Sequence, residues 1–398
     1  MTEIRGTVEP GFEGVRDAFA ANFAEHGEVG AGFCLYVDGR AVVELTGGVR
    51  DLDGTPYDED TLQLVFSSTK GITATCAHLL VQRGLLDLDA PVVDVWPEFG
   101  AAGKRDVPVS WLLCHRTGLI DVDEPMTLDE ALDWDAVTAA LAASTPVWAP
   151  GTAHGYHAVT YGWLVGEVVR RVAGVDLGTF VQQELSGPLG LDLWIGLPDD
   201  EQHRVAPLVP FRADGLEALT SAIGGSPDGP PATLVDMLNR FLGEGNLAAK
   251  ALTAPGGAFA DQDAWNDLRV RAAQVPAANG VTNAPSLARM YASLVSDVDG
   301  VRLLDADTID RAVVPQVEGP DSVLMFPIPF GLGYMTHSDF SPFLGGRSFG
   351  HYGAGGSVGF ADPDRGIAGA YVMNQMQLGI AGDPRTAGLL RAVEQAVS

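Results

Sequence analysis

The chain has 398 residues, 46% apolar and 19% charged, which is the composition of a soluble globular protein with length for two domains or one core carrying a large insertion. Its net charge of −28 argues against a nucleic-acid partner, which needs a basic face, and against attraction to anionic lipid. A solubilising acidic surface explains the charge, and no substrate is read from it.

In chain order, Met1-Thr2-Glu3-Ile4-Arg5 leads into an acidic amphipathic segment without the apolar region of a secretory signal. Residues 11–26 place Phe12, Val15, Phe19 and Phe23 at helical spacing. Gly32–Val37 and Ala41–Leu45 are rich in β-formers and flank Asp38-Gly39, so they predict a hairpin. From Gly71 the apolar residues Ile72, Cys76, Leu79 and Leu80 repeat at three and four, predicting a helix with one side buried, closed by Leu85–Val92. Ala158–Val172 is the clearest helix, with Tyr161, Leu164, Val165, Val168 and Val172 on one face. Residues 211–280 are rich in Gly, Ala and Pro, with one amphipathic piece near Leu234–Leu242. A stretch of this kind reads as a lid or pocket wall. Gly356–Ala361 and Ile367–Asn374 form a second hairpin around residues 362–366, and a final helix covers about Arg385–Val397. Helix and hairpin thus occur at both ends with helices between. The economical fold is α+β, with one antiparallel sheet from 1–70 and 281–398 and a mainly helical domain, 71–280, inserted between them. No run of eighteen apolar residues occurs, so no membrane span is expected.

One short stretch, Phe66-Ser67-Ser68-Thr69-Lys70-Gly71, carries the clearest chemistry. A serine and a lysine three apart at a helix start share a face, which suits a hydroxyl nucleophile with an amine base. Of 24 basic residues only Lys70, Lys104 and Lys250 are lysines, and Ser67-x-x-Lys70 occurs once. Arginine cannot release its proton at usable pH, whereas a desolvated lysine can, so Lys70 is read as a base. The plainer alternative for Ser67 is a helix N-cap. Ser68, only two residues from Lys70, points off the shared face.

Further motifs follow in order. Ser67-Ser68-Thr69-Lys70 resembles an S-x-x-K motif, and Leu86–Val92 resembles the segment that follows it. Leu112-Leu113-Cys114-His115-Arg116-Thr117-Gly118-Leu119 is close to L-L-x-H-T-S-G-L. Pro150-Gly151 leads to Tyr156 as in a Y-x-N approach, and Phe349–Gly356 stands where K-T-G or its variants belong. On these motifs the chain resembles the serine β-lactamase and penicillin-binding-protein superfamily, and is most similar to class C β-lactamases and family VIII carboxylesterases. The resemblance implies a β-lactamase-like fold, Ser67 as nucleophile through an acyl-enzyme, Lys70 as proton acceptor and Tyr156 as relay to the leaving group. That chemistry needs either a near-neutral Lys70 or a near-phenolate Tyr156. The resemblance also implies an oxyanion site at the backbone of Ser67 and, most closely, of Ala354.

Rivals to this set are weaker. Tyr161 lies in the apolar stripe of its helix, whereas Tyr156 is on a loop. Gly355-Gly356-Ser357-Val358-Gly359 fits the G-x-S-x-G elbow of α/β-hydrolases, yet no histidine follows Ser357 and no helix starts at Val358. Cys114 and His115 are sequence neighbours and point apart, which leaves His115 a structural role. Three widely spaced cysteines, Cys34, Cys76 and Cys114, match no disulfide or metal pattern, as expected of reduced thiols in a cytoplasmic protein. His154 and His157 lack metal-ligand spacing, so neither metal nor cofactor is called for.

Two departures from the family bear on substrate. Ala158 replaces the asparagine of Y-x-N, and His351-Tyr352-Gly353 replaces the lysine and threonine of K-T-G. Both remove polar recognition suited to penicillins. The expected function is therefore hydrolysis of small carboxylic esters, with His351, Gly353 and His157 as substrate contacts. β-Lactamase, peptidase or amidase, acyltransferase and a non-hydrolytic penicillin-binding protein are the alternatives.

Overall fold

A computed structural model describes residues 2–51, 53–210 and 246–397. The expected amphipathic piece near Leu234–Leu242 lies outside them. The elements that position the site are β1 (Ile4–Val8), α1 (Glu13–Glu25), β2 (Gly30–Val37), β3 (Arg40–Gly48), α2 (Thr69–Gln82), α3 (Thr160–Ala173), α4 (Ala284–Val295), β4 (Met335–Thr336), β5 (Phe349–Tyr352), β6 (Val358–Asp362), β7 (Ile367–Met373) and α5 (Pro384–Ala396).

The sheet is antiparallel throughout and runs β1-β3-β2-β7-β6-β5-β4, so both ends of the chain build it. Its seam is the pairing of β2 with β7, where Cys34 lies opposite Ala370 and Ala31 opposite Met373. Both expected hairpins are present, the first turning at Asp38-Gly39 with both residues at positive φ. Strand β1 has no counterpart in the sequence reading. It is an edge strand, half-exposed, and with only Ile4 and Val8 apolar and Gly6 between Arg5 and Thr7 the alternation is weak.

Alternation along β7 assigns the two faces. Ala370 pairs with Gly359, whose added Cβ would meet the Tyr291 ring at 2.3 Å, so this face carries α4. Tyr371 points the other way, with its ring 6.4 Å from Phe19 of α1, and α1 packs against α5 on that face. Glycine and alanine on the α4 side let the helix approach closely.

Helix α2 departs from expectation. Every residue from Thr69 to Leu80 is buried, not one side alone. Its polar residues are met from distant segments: Thr73 Oγ1 donates to the Pro276 carbonyl at 2.6 Å, Thr75 Oγ1 lies 2.9 Å from Tyr334 Oη, and His78 Nε2 lies 2.7 Å from the Leu332 carbonyl. Among the described residues no helix is long and apolar enough to cross a membrane.

Gly71, inside α2, has no space for a side chain, because a Cβ there would fall 2.0 Å from Tyr291 Oη. That hydroxyl has no hydrogen-bond partner among the described residues. Gly71→Ala should therefore destabilise by about 1–3 kcal/mol, although alanine is the better helix former by about 1 kcal/mol. Urea unfolding should show Tyr291→Phe alone neutral or stabilising and the double variant partly restored. A Gly71→Ala protein as stable as wild type would refute the close contact.

Candidate active site

The turn before α2 is held in an unfavourable backbone conformation. Phe66 has φ +43°, a left-handed value rare for a bulky residue and costing about 1–3 kcal/mol. Several bonds fix it. The Val65 carbonyl accepts from the Ser68 N–H at 3.1 Å and from Ser357 Oγ at 2.8 Å. Ser68 Oγ donates to the His351 carbonyl at 3.2 Å, and Val65 N–H donates to Gly280 at 2.9 Å. Ser68 and Ser357 are thus buried staples between the turn and strands β5 and β6. Ser67 and Phe66 of this turn line a cavity, and Ser67 brings the turn's one hydroxyl to it.

Lys70 lies one turn further on, fully buried. Its Nζ is 3.0 Å from Ser67 Oγ, 2.6 Å from the Ala158 carbonyl and 3.1 Å from the Ala277 carbonyl. Burial holds its pKa well below the ordinary lysine value, and no carboxylate opposes that shift. A neutral amine has two protons and one lone pair. The two carbonyls accept the protons, which leaves the lone pair directed at the Ser67 hydroxyl.

Tyr156 sits on the loop before α3 with its ring 4.7 Å from Lys70 Nζ and its phenol in hydrogen-bonding range of Ser67. Burial raises its pKa, so it stays a phenol. Of the two protonation schemes the sequence left open, the geometry favours neutral Lys70 beside neutral Tyr156. The loop is anchored by Asp321, whose Oδ1 accepts from the Tyr156 N–H at 3.1 Å and from Val323 and Leu324 at 2.8 Å each. Asp321 was not singled out in the sequence. Its partner is 165 residues away and no local pattern marks it.

Behind Tyr156 lies a buried aromatic and histidine layer. His115, at φ +61°, is 5.1 Å from the Tyr156 ring and 4.6 Å from Phe330, and its Nδ1 accepts from the His157 N–H at 3.2 Å. The Cys114 thiol beside it is pushed up to about 12 by burial, so no thiolate pairs with His115.

Three expected substrate contacts change role. His157 is buried with Nδ1 2.7 Å from the Gly155 carbonyl and Nε2 2.8 Å from Thr117 Oγ1, so both ring nitrogens serve the loop. His351 is also fully buried, with Nδ1 2.7 Å from the Tyr352 carbonyl and the ring 6.2 Å from Tyr156. Burial lowers these histidines to about 4 and about 3. Gly353 provides close approach instead of a ligand contact, since a Cβ there would lie 2.3 Å from the Val65 carbonyl and 2.2 Å from Ser357 Oγ. None of the three lines the cavity.

The cavity holds about 880 Å³ and opens over Ser67 and Ala354. Its walls include Phe66, Leu252, Trp265, Phe326, Ile328 and Ile380, with Gln262 the one polar side chain apart from Ser67 among the described lining residues. Leu252, Gln262, Trp265 and Ala278 come from the segment expected to wall a pocket. Backbone N–H groups of Ser67 and Ala354 donate to nothing among the described residues, whereas Gly353 N–H donates to Ser357 at 2.8 Å. Two residues that line the cavity beside a serine hydroxyl thus have N–H groups without a backbone acceptor among the described residues.

A beta-lactamase family model matches residues 15–392. The chain belongs to the beta-lactamase family. Esterase/beta-lactamase LipL of Mycobacterium tuberculosis is 35% identical over 382 residues, covering 94% of this chain and 83% of that protein. Among solved structures, a family VIII carboxylesterase is 37% identical with a TM-score of 0.85 over 99% of this chain and 100% of the other. EstA from Arthrobacter nitroguajacolicus Rue61a is 33% identical with a TM-score of 0.84, covering 98% of each chain.

If Lys70 must be unprotonated, the acid limb of its activity profile follows its folded-state pKa, which burial places well below 10.5. For ester turnover, kcat/KM should thus reach its plateau well before that pH. A rate still climbing through the ordinary lysine range would show Lys70 charged in the resting protein.

Proposed function

We propose that the protein is a carboxylesterase that acts through an acyl-enzyme on Ser67. The observation that carries this reading is the buried Lys70 Nζ 3.0 Å from Ser67 Oγ, with the Ala158 and Ala277 carbonyls beside it as acceptors for two amine protons; burial lowers its pKa, so a lone pair can be offered to the Ser67 hydroxyl. Ser67 Oγ attacks the ester carbonyl while its proton passes to Lys70 Nζ. The resulting ammonium has three hydrogen-bond acceptors in place and needs no rearrangement. The oxyanion takes hydrogen bonds from the Ser67 and Ala354 N–H groups, usually the largest electrostatic contribution to such a step. Tyr156 gives its phenol proton to the departing alkoxide and regains one from Lys70. Water then attacks the acyl-enzyme through the same groups in reverse.

The ester reading rests on the cavity. Its described lining carries no arginine or lysine to gather the carboxylate of a β-lactam, and most of it is aliphatic or aromatic. A neutral acyl or alcohol group suits those walls, since each buried methylene contributes about 0.8 kcal/mol. The similar proteins include one named both esterase and beta-lactamase and others named as esterases, which agrees with a shared acylation centre serving different acyl donors.

The test pairs a chromogenic short-chain ester with a chromogenic cephalosporin. Wild type should turn over the ester, Ser67→Ala should lose on the order of 10⁴–10⁶-fold, and Ser357→Ala should lose no more than about tenfold, the worth of one hydrogen bond. Ester turnover that survives in Ser67→Ala and disappears in Ser357→Ala would overturn the nucleophile. Rapid cephalosporin turnover without ester turnover would overturn the substrate class.

A further inference from the structure

A second buried cation lies outside the catalytic cluster. Arg385, in the first turn of α5, is fully buried on the sheet face opposite α4. All five of its N–H groups are used. Nε and Nη2 donate to Asp383 Oδ1 at 3.0 Å and Oδ2 at 2.7 Å, and Nη1 donates to Glu28 Oε2 at 2.7 Å and to the Gln375 carbonyl at 2.9 Å. The remaining Nη2 proton goes to the carbonyl of Gly355. Glu28, just before β2, is itself held by the Tyr371 hydroxyl and is buried.

Gly355 is the residue after Ala354, so the guanidinium grips the 355–356 peptide, two along from the 353–354 peptide that carries the Ala354 N–H. The backbone is shaped around it. Gly355 has φ +85° and Gly356 φ +123°, and a Cβ on Gly356 would fall 2.3 Å from Arg385 Nη2 and 2.5 Å from Asp383 Oδ2. The loop can follow this path only as glycine, and it does so to embrace a charged side chain. On its other side the loop is tied to Ser357 through the Gly353 N–H. A staple to the nucleophile turn and a clamp to α5 therefore bracket Ala354, which has no hydrogen bond of its own through N–H.

We propose that Arg385, held by Asp383 and Glu28, is a positioning residue that aims the Ala354 N–H at the reacting carbonyl oxygen. This rests on the esterase reading for the use of that N–H. Arginine is suited to the task because its rigid planar fork reaches two carboxylates and two carbonyls at once, whereas lysine has three donors on a single flexible point. Losing one oxyanion donor costs on the order of 10²–10³-fold in kcat, and the cost appears in the transition state more than in substrate binding.

Arg385→Lys keeps the positive charge beside both carboxylates and removes the guanidinium bond to Gly355, whose carbonyl then keeps only the Gln377 N–H at 3.2 Å among the described residues. The expected result is a fall in kcat of about tenfold or more with KM unchanged. Glu167→Gln serves as the control for general weakening, because Glu167 anchors Arg170, Arg171 and Trp134 at the far end of α3. A loss of turnover no greater in Arg385→Lys than in Glu167→Gln, at matched melting temperature, would overturn the proposal, as would unchanged kcat. If Arg385→Lys does not fold, Glu28→Gln replaces it. That variant keeps the shape of the cluster and weakens the clamp, so a several-fold fall in kcat at constant KM supports the proposal and an unchanged kcat overturns it. Labelling by a fluorophosphonate, located on Ser67 by mass spectrometry, is measured alongside. Labelling of wild type without ester turnover would defeat the ester reading, while slower labelling in the Arg385 variant would still report the displaced loop.

Discussion

The whole site depends on taking one amine out of water without giving it a counter-charge. An isolated ammonium in the interior is costly enough that the group sheds its proton instead. Around Lys70 the described residues supply carbonyls, a hydroxyl and aromatic rings, and no carboxylate among them restores the charge. The surroundings follow the same rule. His351 and His157 are driven to about 3 and about 4 by burial, so the layer behind Tyr156 stays uncharged at neutral pH and does not bury a second unpaired cation beside Lys70. A carboxylate is allowed near the loop only where it is consumed by backbone: Asp321 Oδ1 takes three N–H groups and fixes Tyr156 by its main chain.

Such an environment cannot be made by one segment. Helix α2 is buried on all sides, and its neighbours come from residues 158, 277, 332 and 351 as well as from its own turn. This explains why both chain ends must meet in one sheet. The β2–β7 seam brings the two ends together and sets strand β5 and the glycine loop against Val65 and Ser68, where a side chain on Gly353 would not fit. The left-handed Phe66 is tolerated because these contacts over-determine the turn, and its ring then forms part of the cavity wall against Trp265, 5.4 Å away.

What could be read from the sequence follows from how local each signal is. The Asp38-Gly39 hairpin, the apolar stripe of α3 and the terminal helix are specified within a few residues, and their ends stand within three residues of where the pattern puts them. The pairing of Ser67 with Lys70 is equally local. Thr73, Thr75 and His78 look like a solvent-facing side of α2, because a sequence does not reveal that carbonyls and a phenol from residues 276, 332 and 334 will satisfy them. Proximity in sequence to Tyr156 and to the glycine loop suggested His157 and His351 as ligand contacts. Packing turned both inward, since each ring found backbone carbonyls nearer than the cavity. Asp321 and Arg385 had no local signature at all, and both act on the backbone of residues remote from them in sequence.

Two buried cations in one protein thus meet opposite fates, and the residue types account for it. Arg385 is enclosed by Asp383 and Glu28 and uses every donor, so its charge is retained and spent on geometry. Lys70 is enclosed by neutral groups, so burial lowers its pKa well below the ordinary lysine value and favours the form with a free lone pair. Exchanging the two would fail in both places. A guanidinium at position 70 would keep its proton whatever the surroundings, and an ammonium at position 385 could not span two carboxylates and the Gly355 carbonyl. The shortage of lysine in this chain is in keeping with that division, in which the one lysine that follows a serine by three residues sits where only a releasable proton is useful.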